Sequence, residues 1–267
     1  MIKKRFKEVL EMLMILSPAK TFKTIELEPF NLSENLIFAD KTKVLVEQLQ
    51  QHSKQELASL MKMSEALAEI NETRFENFYR KKKQAMHAIH AFEGEAYKGL
   101  DSLTLDEEAL EFSKQSFRIL SGLYGVLRPF DAINPYRLEM GLSWSGVHGK
   151  DLYTYWKEEL TAHFLSELKE TKGDQVLLNL ASKEYSKAIN LKQLEKSYPV
   201  ITVEFKERKG ESYKVVGMYA KRARGEMARY ILTNQIHEIE QVKAFNNGGY
   251  TFNSDLSSEK TWIFTRE

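Results

Sequence analysis

Several short stretches of the chain are apolar throughout, or alternate between apolar and polar residues, as buried and half-buried β-strands do. They are Met12–Leu16, Gln175–Leu180, Val200–Lys206, Ser212–Met218, Tyr250–Asn253 and Thr261–Thr265. The third and fourth flank Lys209-Gly210, which predicts a hairpin. We expect the first strand to join the later ones in one mixed sheet.

Other stretches repeat apolar residues every three or four positions, the spacing of one helix face. They are Lys41–Gln51, Lys54–Ala68, Glu72–Phe92, Asp106–Leu120, Asp151–Lys169 and Lys221–Asn234. Asp151 is expected to cap the helix that follows it, because a short acidic side chain accepts exposed amides. No repeat or low-complexity linker divides the chain. The pattern therefore predicts a single mixed α/β (α+β) domain, with helices packed around the sheet.

One long connection stands out from these elements. Leu120–Gly141 holds three glycines, two prolines and two arginines, and ordinary connections are much shorter. Its many apolar residues, among them four leucines, Phe130 and Ile133, are unlike the composition of disordered segments. We expect an ordered loop that fixes the positions of Arg128, Arg137 and Glu139.

Composition excludes several kinds of chemistry. The chain has no cysteine, which excludes disulfides, thiol catalysis and cysteine-based metal sites and suits a reducing cytosol. His87 and His90 are the one close histidine pair and lack an acidic partner pattern, so no metal is predicted. No glycine motif for a nucleotide is present, and we predict no cofactor. No apolar run approaches the roughly 20 residues of a membrane span.

Charge alone does not indicate a nucleic-acid partner. The 39 basic and 38 acidic residues give a net charge of +1, so a basic surface would have to arise from segregated charges. Such segregation is visible in the predicted helix from Lys221. There Lys221, Arg222 and Arg229 share one side with Gly225, which would let a phosphate approach the backbone closely.

Six ordered blocks of sequence resemble the YaaA family of bacterial peroxide-stress proteins. They are Leu120–Gly141, Ser17–Lys20, Gly149–Tyr153, Asn179–Ser182 with Glu184-Tyr185, Tyr219–Lys221 and Ala223–Gly225. The resemblance implies a cytosolic DNA-binding protein of the oxidative stress response, with a family-specific fold, a basic cleft and a helix-hairpin-helix element. It implies no catalytic activity. The resemblance starts at Met12, so residues 1–11 are interpreted as an N-terminal extension and residues 12–267 as the domain.

The helix-hairpin-helix turn is predicted at Glu69-Ile70-Asn71, between two helical stretches. Such hairpins point main-chain amides at phosphate oxygens, and glycine in the turn lets the backbone come close. Here Glu69 and Asn71 occupy the two glycine positions. Asn71 tolerates the left-handed conformation, whereas a carboxylate beside a phosphate is unfavourable.

Two functions are open at this point. The first is sequence-tolerant binding of duplex or branched DNA through its phosphates. Its candidate contacts are Lys20, Asn71, Arg74, Arg128, Arg137, Lys150, Lys183, Lys221, Arg222, Arg224 and Arg229. The second is an enzyme acting on a nucleobase, nucleoside or nucleotide with Asp131, Glu139 and Asp151 as acids or bases and Tyr124, Tyr136 and Tyr185 for stacking. The same arginine-carboxylate pairs would also suit a purely structural role in pinning the loop.

Overall fold

A computed structural model describes residues 12–23, 36–79, 85–144, 151–171 and 175–267 of the chain. Its α-helices are α1 (Ala39–Leu49), α2 (Lys54–Met61), α3 (Glu65–Glu76), α4 (Ala88–Ala91), α5 (Glu95–Leu100), α6 (Glu107–Ser116), α7 (Leu152–Glu170), α8 (Lys183–Ser186), α9 (Leu191–Leu194) and α10 (Gly217–Thr233). Its strands are β1 (Met12–Leu16), β2 (Thr21–Phe22), β3 (Met86–His87), β4 (Phe92–Glu93), β5 (Phe117–Ser121), β6 (Gly125–Leu127), β7 (Ala132–Ile133), β8 (Val176–Asn179), β9 (Val200–Lys209), β10 (Ser212–Lys214), β11 (Thr251–Phe252) and β12 (Thr261–Arg266). The predicted extension 1–11 lies outside the described residues.

Eight strands form one mixed sheet, which confirms the predicted fold class. The order is β11-β12-β9-β8-β1-β5-β6, and β10 pairs with β9 as the predicted hairpin. β1 pairs in parallel with β5 on one side and with β8 on the other. β9 continues the parallel run beyond β8, and β12 beyond β9. All residues of β1, β5 and β8 are buried, as expected of parallel strands covered on both faces.

The strand order creates a topological switch point beside β1. From β1 the chain first reaches β5 on one side and later returns to β8 on the other. Ile15 of β1 lies opposite Asn179 of β8, so these two parallel strands end at a common edge. β9 runs on past Thr202, its residue opposite Asn179. In open α/β sheets, ligands bind in the crevice outside the carboxyl ends of the strands at such a point.

Several predicted helices end earlier than their periodicity indicated. The helix Asp106–Leu120 was predicted too long, because residues from Phe117 onward form the central strand β5. Asp106 caps α6 by accepting from the Ala109 amide at 2.8 Å. The prediction of Glu72–Phe92 as helix is wrong, since α3 ends at Glu76 and short strands follow. Residues 80–84 lie outside the described part of the chain.

The long connection is ordered, as predicted, but it is not irregular throughout. It begins with the end of β5, turns back as β6 and then contributes β7. Gly125 has φ +72°, and a Cβ there would lie 2.7 Å from the Trp156 ring, so this turn needs glycine. The segment 137–141 then returns to the end of β1. The connection thus carries its charged residues to the switch point.

Candidate functional site

The predicted helix-hairpin-helix turn does not lie between two helices. α2 and α3 form a helical hairpin whose turn lies seven residues earlier in the chain. Glu69, Ile70 and Asn71 lie inside α3, so the predicted position of the turn is wrong. The observed turn is Lys62-Met63-Ser64, in which Lys62 closes α2 with φ 48° and Ser64 caps α3. The periodicity of Lys54–Ala68 hid this turn, because both helices bury apolar residues against the same core. The sequence signal for it was Ser64, a good N-cap residue ahead of Leu67.

The hairpin exposes its turn and buries Asn71. Asn71 is only 1% exposed and donates to the Leu67 carbonyl at 2.7 Å, so it faces the interior of the hairpin. Arg74 donates to Asn71 Oδ1 at 3.4 Å, and burial lowers the pKa of its guanidinium. Lys62 and Ser64, in contrast, are exposed. The Ser64 hydroxyl accepts from the Leu67 amide, which leaves the amides of Glu65 and Ala66 without an acceptor inside the helix.

Another helix covers the part of the predicted phosphate face of α10 that holds Gly225 and Arg229. A Cβ on Gly225 would lie 1.7 Å from the Ala96 carbonyl oxygen, and one on Gly99 would lie 2.3 Å from the Arg222 carbonyl oxygen. Gly225 therefore serves close packing of α10 against α5, and the prediction that it admits a phosphate is wrong. Arg229 donates to the Asp101 carbonyl at 2.9 Å, at the end of α5. It stabilises the helix pair.

Two cations of α10 remain at the surface. Lys221 and Arg222 are both exposed. Arg222 pairs with Glu226 at 3.1 Å, one turn along the same helix. No ion pair of Lys221 is present among the described residues. Lys221 is therefore the cation of this helix that a partner reaches most readily.

At the switch point, the ends of β1 and β8 are joined by two serines. Ser17 Oγ donates to Ser182 Oγ at 3.2 Å and accepts from the Ser182 amide at 2.8 Å. Tyr97 of α5 donates to the Ser17 carbonyl at 3.1 Å. These contacts fix the loops that leave the two strands.

A charged cluster lies beside the serines. Lys20 Nζ is 3.0 Å from Glu139 Oε2, and Arg137 Nε donates to Glu139 Oε1 at 2.9 Å. Glu184 accepts from the Gly141 amide at 3.2 Å and so holds the end of the long connection. Residues far apart in sequence thus meet here, as expected if the connection presents Arg137 and Glu139 in fixed positions.

The other charged pair of the connection is structural. Asp131 is 1% exposed and accepts from the Arg128 amide at 2.8 Å and from Arg128 Nε at 2.9 Å. Burial raises the pKa of Asp131, and the bonds from Arg128 oppose that rise. Tyr124, Tyr136 and Tyr185 are buried in the core, so their rings are not available at the surface for stacking. Asp151 caps α7 as predicted, accepting from the Thr154 amide at 2.7 Å.

The remaining predicted contacts are Lys183, Arg224 and Lys150. Arg224 is half-buried on α10, and its Nε is buried. Lys183 is 85% exposed and lies 3.6 Å from Glu204, which also lies 3.4 Å from Lys206. No sequence pattern pointed to Glu204 and Lys206, because only the pairing of strands in the sheet brings β9 close to Lys183. Lys150 lies outside the described residues.

Two kinds of site are missing from the described residues. No three histidine, aspartate or glutamate side chains lie together as metal ligands in that part of the chain. Within the same ranges, no helix has both the length and the apolar composition that crossing a bilayer requires.

Comparisons with known proteins agree with the resemblance found in the sequence. The family model described as peroxide stress protein YaaA matches residues 12–256. A UPF0246 protein of Legionella pneumophila (strain Corby) is 41% identical over 258 residues, covering 96% of this chain and 99% of the relative. UPF0246 proteins of Hahella chejuensis and Magnetococcus marinus are 42% and 44% identical, each over 96% of this chain, and are themselves covered over 100% and 99% of their lengths.

Proposed function

The chain belongs to the YaaA family of peroxide stress proteins, and on that premise we propose that it is a cytosolic protein that binds DNA during the peroxide stress response. The contacts are to backbone phosphates, so binding tolerates many sequences. Duplex and branched DNA are both suitable ligands, because both present the same phosphates.

The exposed turn of the α2–α3 hairpin is the observation that carries this proposal. Lys62 supplies a positive charge at the turn, and the free amides of Glu65 and Ala66 begin a twelve-residue helix. Helix N-termini attract phosphate because their amides are unpaired and the helix dipole is positive there. Lys54 lies 3.8 Å from Glu69 and its amide donates to Glu72 at 2.8 Å, so the two helices are held together. A rigid hairpin needs little reordering to dock on a duplex.

A salt-resolved binding titration tests the proposal. Fluorescence anisotropy with a labelled duplex should give an affinity that falls steeply with salt, because each neutralised phosphate releases counterions. Lys62→Glu should weaken binding across sequences and lower the salt slope by about 1. Lys196→Glu is the matched control, since Lys196 is exposed and the change in net charge is the same.

The outcome of this comparison separates local contact from general charge. Equal losses in the two variants would show that only net charge matters and would remove the hairpin as the contact. No binding of wild-type protein to duplex or branched DNA at low salt would refute the proposal as a whole.

A second candidate function is an enzyme acting on a nucleobase, nucleoside or nucleotide. Lys20, Arg137 and Glu139 meet at the carboxyl end of β1, where α/β sheets place ligands. Glu139 would serve as the acid or base between the two cations. Incubation with a panel of nucleosides and nucleotides, followed by mass spectrometry, should reveal a product that Glu139→Gln abolishes. The absence of any product would leave binding as the function of this cluster.

A further inference from the structure

Arg224 is a half-buried cation on the buried face of α10. Ala220, Met227 and Ile231 are buried, and Arg224 falls on the same helix face by its spacing from them. That face turns toward the sheet, because α10 packs against β9 and β1. Apolar residues normally occupy a helix face that packs on a sheet, so an arginine at this position is unusual and suggests a specific role.

The guanidinium of Arg224 has no partner among the described residues. Its Nε is buried and makes no hydrogen bond, and no ion pair within 4.0 Å involves this side chain. Burial lowers the pKa of Arg224, and the charge of Glu204 raises it in part. Buried cations are ordinarily paired, since removing an uncompensated charge from water is costly. Arg224 therefore has a free donor that an anion would satisfy.

The surroundings of Arg224 carry an excess of positive charge. Glu204 is the carboxylate whose charge acts on Arg224, and it already pairs with Lys183 at 3.6 Å and Lys206 at 3.4 Å. Lys183 and Lys206 share this carboxylate, and Arg224 lies beyond ion-pair distance of it, so two of the three positive charges remain uncompensated. This excess matches the charge of a phosphate monoester dianion.

The cluster also lies at the switch point of the sheet. Lys183 directly follows Ser182, whose amide and hydroxyl bond to Ser17 at the end of β1. Glu204 and Lys206 belong to the part of β9 that extends past its pairing with the end of β8. Ligands of open α/β sheets occupy this place.

We propose that Arg224, with Lys183 and Lys206, forms a binding site for the phosphate group of a small phosphate monoester. A guanidinium fork binds two phosphate oxygens at once, and lysines add charge without fixing geometry. The ligand is a small molecule rather than duplex DNA, because Arg224 is half-buried with its Nε fully buried, while Lys221 is exposed. This site does not depend on whether the hairpin binds DNA.

Inorganic phosphate is the probe for this site. Thermal melting and isothermal titration calorimetry of the full-length protein are compared in phosphate and in chloride of matched ionic strength. Phosphate should raise the melting temperature of the wild type and give a saturable heat. Arg224→Met should abolish both effects. Arg222→Met, an exposed position on the same helix, should retain them.

Two further variants keep the test decisive if Arg224→Met does not fold. Arg224→Lys retains the charge but loses the fork, and should bind phosphate about tenfold more weakly than the wild type. Glu204→Gln removes the competing carboxylate and should bind phosphate more tightly.

Three results would overturn the proposal. One is the absence of saturable phosphate binding to the folded wild type. Another is phosphate binding that survives in Arg224→Met or that weakens in Glu204→Gln. The third is a loss of duplex binding in Arg224→Met without any phosphate effect, which would make Arg224 a DNA contact instead. Because no DNA is present in the phosphate titrations, they can fail while the hairpin proposal holds, and the reverse is also possible.

Discussion

Single residues carry strain and buried charge at defined places in this protein. Lys62 ends α2 with φ 48°, a left-handed conformation that side chains with a Cβ adopt at a cost. The lysine supplies charge at the exposed turn, where glycine would be the more stable choice. Retaining a lysine there is consistent with a phosphate contact and is not explained by stability.

Lys62→Gly should separate these two roles. Glycine relieves the strain of the left-handed position, so the free energy of unfolding should rise by up to about 1 kcal/mol. DNA affinity should fall, because the charge is lost. Urea denaturation and the anisotropy titration measure the two quantities on one variant. A destabilised variant with unchanged affinity would contradict both expectations.

A buried charged group on α7 makes stability depend on pH. Arg118 Nε donates to Glu167 Oε1 at 2.7 Å, and His163 Nε2 lies 3.1 Å from Glu167 Oε2. Burial alone would raise the pKa of Glu167, but His163 and Arg118 outweigh it and hold the pKa below its ordinary value of 4.5. Because the pKa of Glu167 is lower in the folded state, its ionised carboxylate stabilises the folded protein at pH values above 4.5. That stabilisation is lost as the pH falls from 4.5 through the pKa of the folded protein.

Glu167→Gln tests this contribution. It leaves Arg118, which is 6% exposed, without its carboxylate, so the free energy of unfolding at neutral pH should fall by about 3 kcal/mol. The variant should also lose less stability than the wild type on acidification below pH 4.5. Denaturant melts at several pH values measure both effects. Parallel pH profiles for the two proteins would exclude this role for Glu167.

At the scale of elements, a sequence pattern that fits only one kind of structure predicted that structure correctly. A pattern that fits two kinds of structure did not. β1 and α10 follow from apolar runs and helical spacing that their own residues supply. The boundary between α6 and β5 was not predictable, because Phe117 and Leu120 continue the helical spacing of α6 although they belong to β5. Likewise Gly225 fitted a phosphate contact on one helix, and only the position of α5 reveals a packing role.

Gly225→Ala tests the contact between α5 and α10. The added methyl group would meet the Ala96 carbonyl, so the helices must separate and the free energy of unfolding should fall by about 2 kcal/mol or more. Gly217→Ala is the control on the same helix, because a Cβ there meets no atom within 4 Å. Its stability should be unchanged or slightly higher, since alanine favours helix. Equal effects of the two changes on the free energy of unfolding would show that helix propensity, and not packing against α5, determines the effect of Gly225→Ala.

At the scale of the whole molecule, a net charge of +1 offers almost no general attraction to DNA. Affinity must therefore come from local groups of exposed cations, and the α2–α3 turn and the start of α10 each offer an exposed lysine. If one duplex contacts both, Lys62→Glu and Lys221→Glu should each lower the salt slope by about 1, and the double variant by about 2. The losses in binding free energy should add, because the two sites share no partner among the described residues. Anisotropy titrations of the two single variants, the double variant and Lys196→Glu measure this. If Lys221→Glu alone leaves the slope unchanged, the duplex contacts the hairpin and the cations of α10 serve the fold.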